Sequence, residues 1–110
     1  MAKFVTFFSY RAETWNRLVA KPSDRGNAIG AAIASLSGSV EVVYYMLGDY
    51  DGMVIVEMPD ASDAAAISIA VTSTGAFSKV ETRSLIAPGD MPAVLEKAAH
   101  AREVYAPPGD

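Results

Sequence analysis

Two carboxylates and a phenol fall on three consecutive positions, Asp49-Tyr50-Asp51, between Gly48 and Gly52. A carboxylate so placed can act as a general base, and the Tyr50 hydroxyl can donate a hydrogen bond to a developing oxyanion. The same segment suits a tight turn, because the glycines tolerate unusual torsions and Asp side chains cap nearby amides. Turn chemistry is the stronger of the two explanations. Glu57 is a further acid–base candidate, with Lys79, Glu81 and Arg83 as neighbours in the strand pattern. As a site, Arg83 would hold an anionic group and Glu57 would move protons. As structure, the same charges would pair across strands and fix register. Both readings stay open.

Two aromatic residues are candidates for ligand contact. Tyr44 and Tyr45 alternate along a strand, so they point to opposite faces; Tyr45 is assigned to the face a partner would cover. It would flank a ligand there, although an interface role is the commoner use of such a tyrosine. Trp15, with Arg11 and Arg17 close in sequence, would cover a pocket mouth as a flap ahead of Pro22, or else plug the core. His100 falls on the polar side of the last helix with no orienting partner in the sequence, which argues against catalysis or haem ligation.

Composition narrows the field further. The chain has 110 residues and a mass of 11.6 kDa, the size of one domain. Hydrophobic residues make up 51% and charged residues 20%, enough to bury a core and too apolar for a disordered chain. With no cysteine and one histidine, disulfides, thiolate metal sites and a multi-histidine metal site within one chain are excluded. A net charge of -4 argues against a nucleic-acid footprint, which needs a basic patch. No apolar run is long enough to span a bilayer, and Met1-Ala2-Lys3 leads into a strand rather than a signal peptide. A cytoplasmic location is expected. No phosphate loop, nucleotide fingerprint or serine-nucleophile elbow is present, so no cofactor is implied.

The elements that must position these residues follow from pattern. Lys3–Tyr10 is β-branched and aromatic and predicts a strand. Residues 12–20 predict a helical turn or two, interrupted at Pro22. Ser23 or Asp24 caps a helix with Ile29, Ala32, Ile33 and Leu36 on one face, stopped by Gly38. Val40–Leu47 and Met53–Met58 predict a β-hairpin. Asp60, with Asp63 in the first turn, caps a helix whose inner stripe is Ile67, Ala70, Val71 and Thr74, closed by Gly75. Phe77–Ile86 is a fourth strand. Asp90 caps a last helix with Met91, Val94, Leu95 and Ala98 on one face. Residues 1–104 make one domain and 105–110 an extended tail. The order is β-α-β-β-α-β plus a C-terminal helix, an α+β, ferredoxin-like arrangement with a four-stranded antiparallel sheet.

Strict alternation then assigns Val54, Val56, Met58, Val80, Thr82 and Ile86 to the helix-covered face. The other face receives Glu41, Val43, Tyr45, Leu47, Met53, Ile55, Glu57, Lys79, Glu81, Arg83 and Leu85. Covering several large apolar side chains there is worth about 1.5–3 kcal/mol each, a sum comparable with the roughly 5–15 kcal/mol stability of a whole domain. A second copy of the chain packed on that face would supply the cover, and a homodimer or higher homo-oligomer is expected.

The hairpin carries a resemblance as well. Gly48-Asp49-Tyr50-Asp51, then Met53–Glu57 and Pro59-Asp60, is similar to the signature segment of the GYD domain family. Pro22 before the first long helix, the alanine-rich helix ending in Ser73-Thr74-Gly75, and Glu81-Thr82-Arg83 extend the likeness over most of the chain, although Ser84-Leu85-Ile86 shifts the leucine expected there. The resemblance implies a ferredoxin-like domain of the dimeric α/β-barrel kind, and it supplies a fold rather than an activity. Related barrel families include cofactor-free monooxygenases, lactone isomerases, haem enzymes and ligand-sensing domains, so the fold does not select among functions.

Three functions follow, in order of preference. The first is a homodimeric small-molecule-binding module with a cavity between sheet and helices. The second is a cofactor-independent isomerase or monooxygenase-like enzyme using Asp49, Tyr50, Asp51 or Glu57; under either function Tyr45, Arg83 and Trp15 are the candidate ligand contacts. The third is a structural or assembly protein.

Overall fold

A computed structural model describes residues 1–110. The apolar run at Ala2–Tyr10 forms β1, and the hairpin forms β2 (Ser39–Tyr45) and β3 (Gly52–Met58), with β4 at Phe77–Leu85. All neighbours pair antiparallel in the order β2-β3-β1-β4. This is the predicted ferredoxin-like sheet. Four helices join it: α1 (Ala12–Ala20), α2 (Arg25–Ser35), α3 (Ala61–Thr72) and α4 (Met91–Arg102), the last preceded by a 3-10 turn at Pro88–Asp90.

The chain order is therefore β-α-α-β-β-α-β-α. Residues 12–20 complete a nine-residue helix rather than a turn or two. Tertiary bonds explain the extra length: the Arg11 amide donates to the Ala76 carbonyl at 3.0 Å, and the Thr14 hydroxyl donates to the same carbonyl at 2.6 Å. Asp24 caps α2 by accepting from the Gly26 amide at 2.9 Å. At α3 the Asp60 carboxylate accepts from the Ser62 amide while the Asp63 carboxylate accepts from the Asp60 amide, a reciprocal cap.

Ile33, Phe4, Val54, Val56, Met58 and Ala64 form the core, between the helix-side face of the sheet and helices α2 and α3. Of the stripe predicted for α3, Ile67 and Val71 turn inward together with Ala64 and Ser68, whereas Ala70 and Thr74 are exposed. The end of α2 also differs from expectation. Ser37, at φ 64°, takes the left-handed position, and Gly38 serves close packing instead. A Cβ on Gly38 would stand 2.6 Å from the Glu57 carbonyl oxygen and 2.9 Å from Ile33 Cγ2. At the hairpin, Gly48 has the positive φ, 116°. Gly52 has no such torsion; its missing side chain makes room for the Phe8 ring.

One residue in β2 reorganises the sheet's two faces. Val40 pairs with Val56 and Val42 with Ile55, so Glu41 and Val42 together oppose a single position of β3. Such a bulge inverts the alternation beyond it. Val43 and Tyr45, predicted for the open face, turn toward the helices, and Val42 and Tyr44 take their places. Leu47 lies beyond the end of β2 and is fully exposed, and Ile86 lies beyond β4 and is also exposed. The helix α4 buries none of its side chains; the face predicted from Val94, Leu95 and Ala98 is open to solvent.

Candidate functional site

Between the sheet and α1, α2 and α3 lies a cavity of about 530 Å³ lined by 26 residues, 19 of them hydrophobic. That volume is in the range of small-molecule sites, roughly 300–1,000 Å³. Alternation of β1 sends Phe4, Thr6, Phe8 and Tyr10 to its floor, and the bulge in β2 adds Val43 and Tyr45. Polar groups are few. Thr6 and Thr82 face each other across β1 and β4, their hydroxyls 2.8 Å apart, and Ser68 of α3 brings its hydroxyl to 2.8 Å from that of Thr82.

Aromatic rings gather at the end of the cavity near α1. The Tyr10 ring lies 5.3 Å from Phe8, 5.2 Å from Phe77 and 5.0 Å from Trp15, between centroids. The Tyr10 and Tyr45 hydroxyls are 3.1 Å apart. Burial, and after it the hydrogen bond with Tyr45, pushes the Tyr10 phenol up, so it stays protonated and keeps a proton to donate. Arg25, the first residue of α2, lies beside that hydroxyl, and Arg17 of α1 is the other cation on the lining.

The candidates from the sequence distribute themselves unevenly about this cavity. Tyr45 lines it, on the helix side rather than the partner-facing side predicted by strict alternation. Trp15, expected as a ligand contact, is not among the lining residues; its ring lies 6.2 Å from that of Tyr45. Its indole Nε1 donates to Asp51 Oδ2 at 3.1 Å, and the Tyr10 amide donates to the same oxygen at 2.8 Å. Asp51 is thus a clamp that ties the hairpin to β1 and α1. Asp49 is exposed, and its carbonyl accepts from the Ser9 hydroxyl at 3.4 Å.

Tyr50 goes to the opposite, helix-free face. Its ring lies 5.5 Å from that of Phe7, the Lys79 ammonium stands 4.3 Å from its centroid, and its hydroxyl donates to Glu81. Arg83 donates to Glu81 Oε1 through Nε at 3.0 Å and through its terminal nitrogen at 2.6 Å. The Tyr50 hydroxyl first, and then Arg83, hold the Glu81 carboxyl below the usual carboxylate range; the same carboxylate raises Tyr50. Glu57 shares Lys3 with Glu41, at 3.8 and 2.8 Å. Lys3 holds the Glu41 carboxyl low, and Glu41 in turn raises Lys3. Of Asp49, Tyr50, Asp51 and Glu57, none lines the cavity, and Arg83 is on the open face with Tyr50.

A model of the GYD domain matches residues 4–95 of this chain. The chain belongs to the GYD domain family. No curated protein matches it. Among solved structures, this GYD domain is similar to TTHA0845 from Thermus thermophilus, at 23% identity over 79% of this chain and 95% of that one, with a TM-score of 0.51. It is also similar to the hypothetical protein PHS023 from Pyrococcus horikoshii, at 15% identity over 82% and 95%, TM-score 0.50. At3g17210 from Arabidopsis thaliana matches at 10% identity over 79% and 95%, TM-score 0.51. These likenesses establish the ferredoxin-like fold and nothing finer. No helix of the GYD domain is long and apolar enough to cross a membrane.

Sequence reasoning did not assign Tyr10, Arg25, Thr6 or Ser68 to the site. Tyr10 was accessible in principle, since alternation from Phe4 and Phe8 places it on the same face. Arg25 was accessible in the same way, since it precedes Ile29 by four residues and shares the face of α2 that carries Ile29, Ala32 and Ile33.

Proposed function

We propose that this GYD domain protein is a homodimeric small-molecule-binding module of the cytoplasm. The observation that carries the binding role is the apolar cavity of about 530 Å³ together with the distribution of acids and bases around it. A binding pocket needs an apolar wall and a few convergent polar groups, which Tyr10, Tyr45, Thr6, Thr82 and Ser68 supply. An isomerase or oxygenase would need a base within hydrogen-bond reach of its substrate. The carboxylates proposed for that work are engaged elsewhere: Asp51 in the clamp, Glu57 with Lys3 on the far face, Asp49 in solvent. That arrangement favours binding over catalysis. The cavity itself weighs against a purely structural role.

The dimer is supported by the open face of the sheet. Phe7, Val42, Tyr44, Met53, Ile55 and Leu85 occupy it without a helix over them. The charges on it are Lys3, Lys79 and Arg83 against Glu41, Glu57 and Glu81, so cations and anions balance. A face of this kind can meet its own copy about a two-fold axis, which places the same patch on both sides of an interface. A thermal-shift screen of small apolar and acidic metabolites tests the binding role, since a ligand of the native state raises stability by mass action. A blank screen would overturn it. Light scattering at micromolar concentration tests the dimer, with twice 11.6 kDa expected; a mass of 11.6 kDa would overturn that part.

A further inference from the structure

Charge is distributed against the trend of the molecule at the cavity. The chain carries a net charge of -4, yet the charged side chains on the lining are Arg17 and Arg25, with no carboxylate among the 26 residues. Neither arginine forms an ion pair; the four pairs in the molecule use Lys3, Arg11 and Arg83 as cations. Two guanidinium groups from different helices thus line one cavity, and no carboxylate neutralises either. Arg25 stands beside the Tyr10 hydroxyl, which adds a neutral donor to the same end. Guanidinium groups suit carboxylates, which accept their paired N–H donors.

The rest of the lining restricts the body of the ligand. At that end the walls are the rings of Phe8, Tyr10, Tyr45 and Phe77, tilted or edge-on to one another. Deeper in, the Thr6, Thr82 and Ser68 hydroxyls share two hydrogen bonds among three donors, which leaves one O–H for a neutral oxygen and no charge to meet a second ionised group. Displacing water from these apolar walls favours an apolar body.

We propose that the cavity binds an apolar, preferentially aromatic monocarboxylate, with its carboxylate between Arg17, Arg25 and the Tyr10 hydroxyl and its body against the aromatic walls. This rests on the binding role proposed above and names the ligand class. The probes are 2-naphthoate, its uncharged analogue 2-naphthamide, and octanoate, titrated calorimetrically into the full chain. The acid is expected to bind at least about tenfold more tightly than the amide, equivalent to about 1.4 kcal/mol, and more tightly than octanoate. In the Arg17→Gln/Arg25→Gln double variant the acid should bind no more tightly than the amide. Ala28→Trp, which places bulk on the exposed part of the lining, should abolish binding of both naphthalene probes.

An amide that binds as well as the acid, or a preference that survives the double variant, overturns the carboxylate assignment. If Ala28→Trp still removes the amide in that case, the cavity remains a binding site of another class. Octanoate binding as tightly as 2-naphthoate overturns the aromatic preference. Failure of all three probes overturns the inference, and the broader binding role falls with it only if the metabolite screen is also blank.

Discussion

Trp15 and Asp51, 36 positions apart, are joined by a hydrogen bond of 3.1 Å from the indole nitrogen to a carboxylate oxygen that also accepts from the Tyr10 amide. The hairpin thereby holds both the end of β1 and the helix at the cavity mouth. Asp51→Ala removes both bonds and leaves the amide of buried Tyr10 without this acceptor. A loss of about 1–3 kcal/mol is expected, read by urea unfolding. Trp15→Phe removes only the indole bond and should cost less. Because Trp15 is the chain's single tryptophan, its emission in Asp51→Ala should shift to the red as α1 loosens; an unchanged spectrum would show that the clamp does not position α1.

Gly52 faces the Phe8 ring. A methyl group at Gly52 would overlap that ring and stand 3.0 Å from the Tyr44 carbonyl oxygen. Overpacking of this kind costs about 1–3 kcal/mol, so Gly52→Ala should lower the urea midpoint. Phe8→Leu is destabilising alone, yet the double variant should be less destabilised than the sum of the two. Additive losses would show that the ring is not the obstacle.

The Tyr50–Glu81–Arg83 cluster sets a pH dependence at both ends of the scale. Glu81 is held below its ordinary value of 4.5, so its contribution to stability is present above that pH. It is lost as pH falls through the lower folded-state value. Tyr50 is raised above 10.0, so its contribution is present below pH 10.0 and lost as pH rises through the higher folded-state value. Glu81→Gln should flatten the acid limb of a stability–pH profile and Tyr50→Phe the alkaline limb. Glu41 and Asp60, also held low, preserve part of the acid limb in Glu81→Gln. Tyr10 does the same for the alkaline limb in Tyr50→Phe. A profile unchanged by either substitution would contradict the cluster's geometry.

Ile55 sits near the middle of the helix-free face, paired with Val5 on one side and Val42 on the other. Ile55→Glu adds a charge there without touching the cavity lining. Light scattering should report one chain per particle, with the helix content of the unaltered protein by circular dichroism. A dimeric Ile55→Glu variant would remove this face from the proposed interface.

Much of this architecture was legible before any coordinate. Ala2–Tyr10, the hairpin, the Asp24 cap and the reciprocal cap at Asp60 and Asp63 all follow from local chemistry. The faces of β2 did not, because Glu41 carries no mark of a bulge, and one extra residue inverts every side chain after it. Tyr45 was therefore named as a ligand contact but placed on the wrong side of the sheet. The role of Asp51 was equally hidden. It depends on α1, whose nine residues bury no side chain of their own and take their place from bonds to Ala76 and Asp51.

The helix α4 has a practical consequence for anyone weighing this molecule in solution. With its side chains unburied, it stretches the particle to 59 × 34 × 23 Å and its radius of gyration to 17.8 Å, against about 13 Å for a rounded chain of this length. Drag follows shape as well as mass. A lone subunit would leave a sizing column ahead of a spherical standard of equal weight, and elution volume by itself would exaggerate the number of subunits.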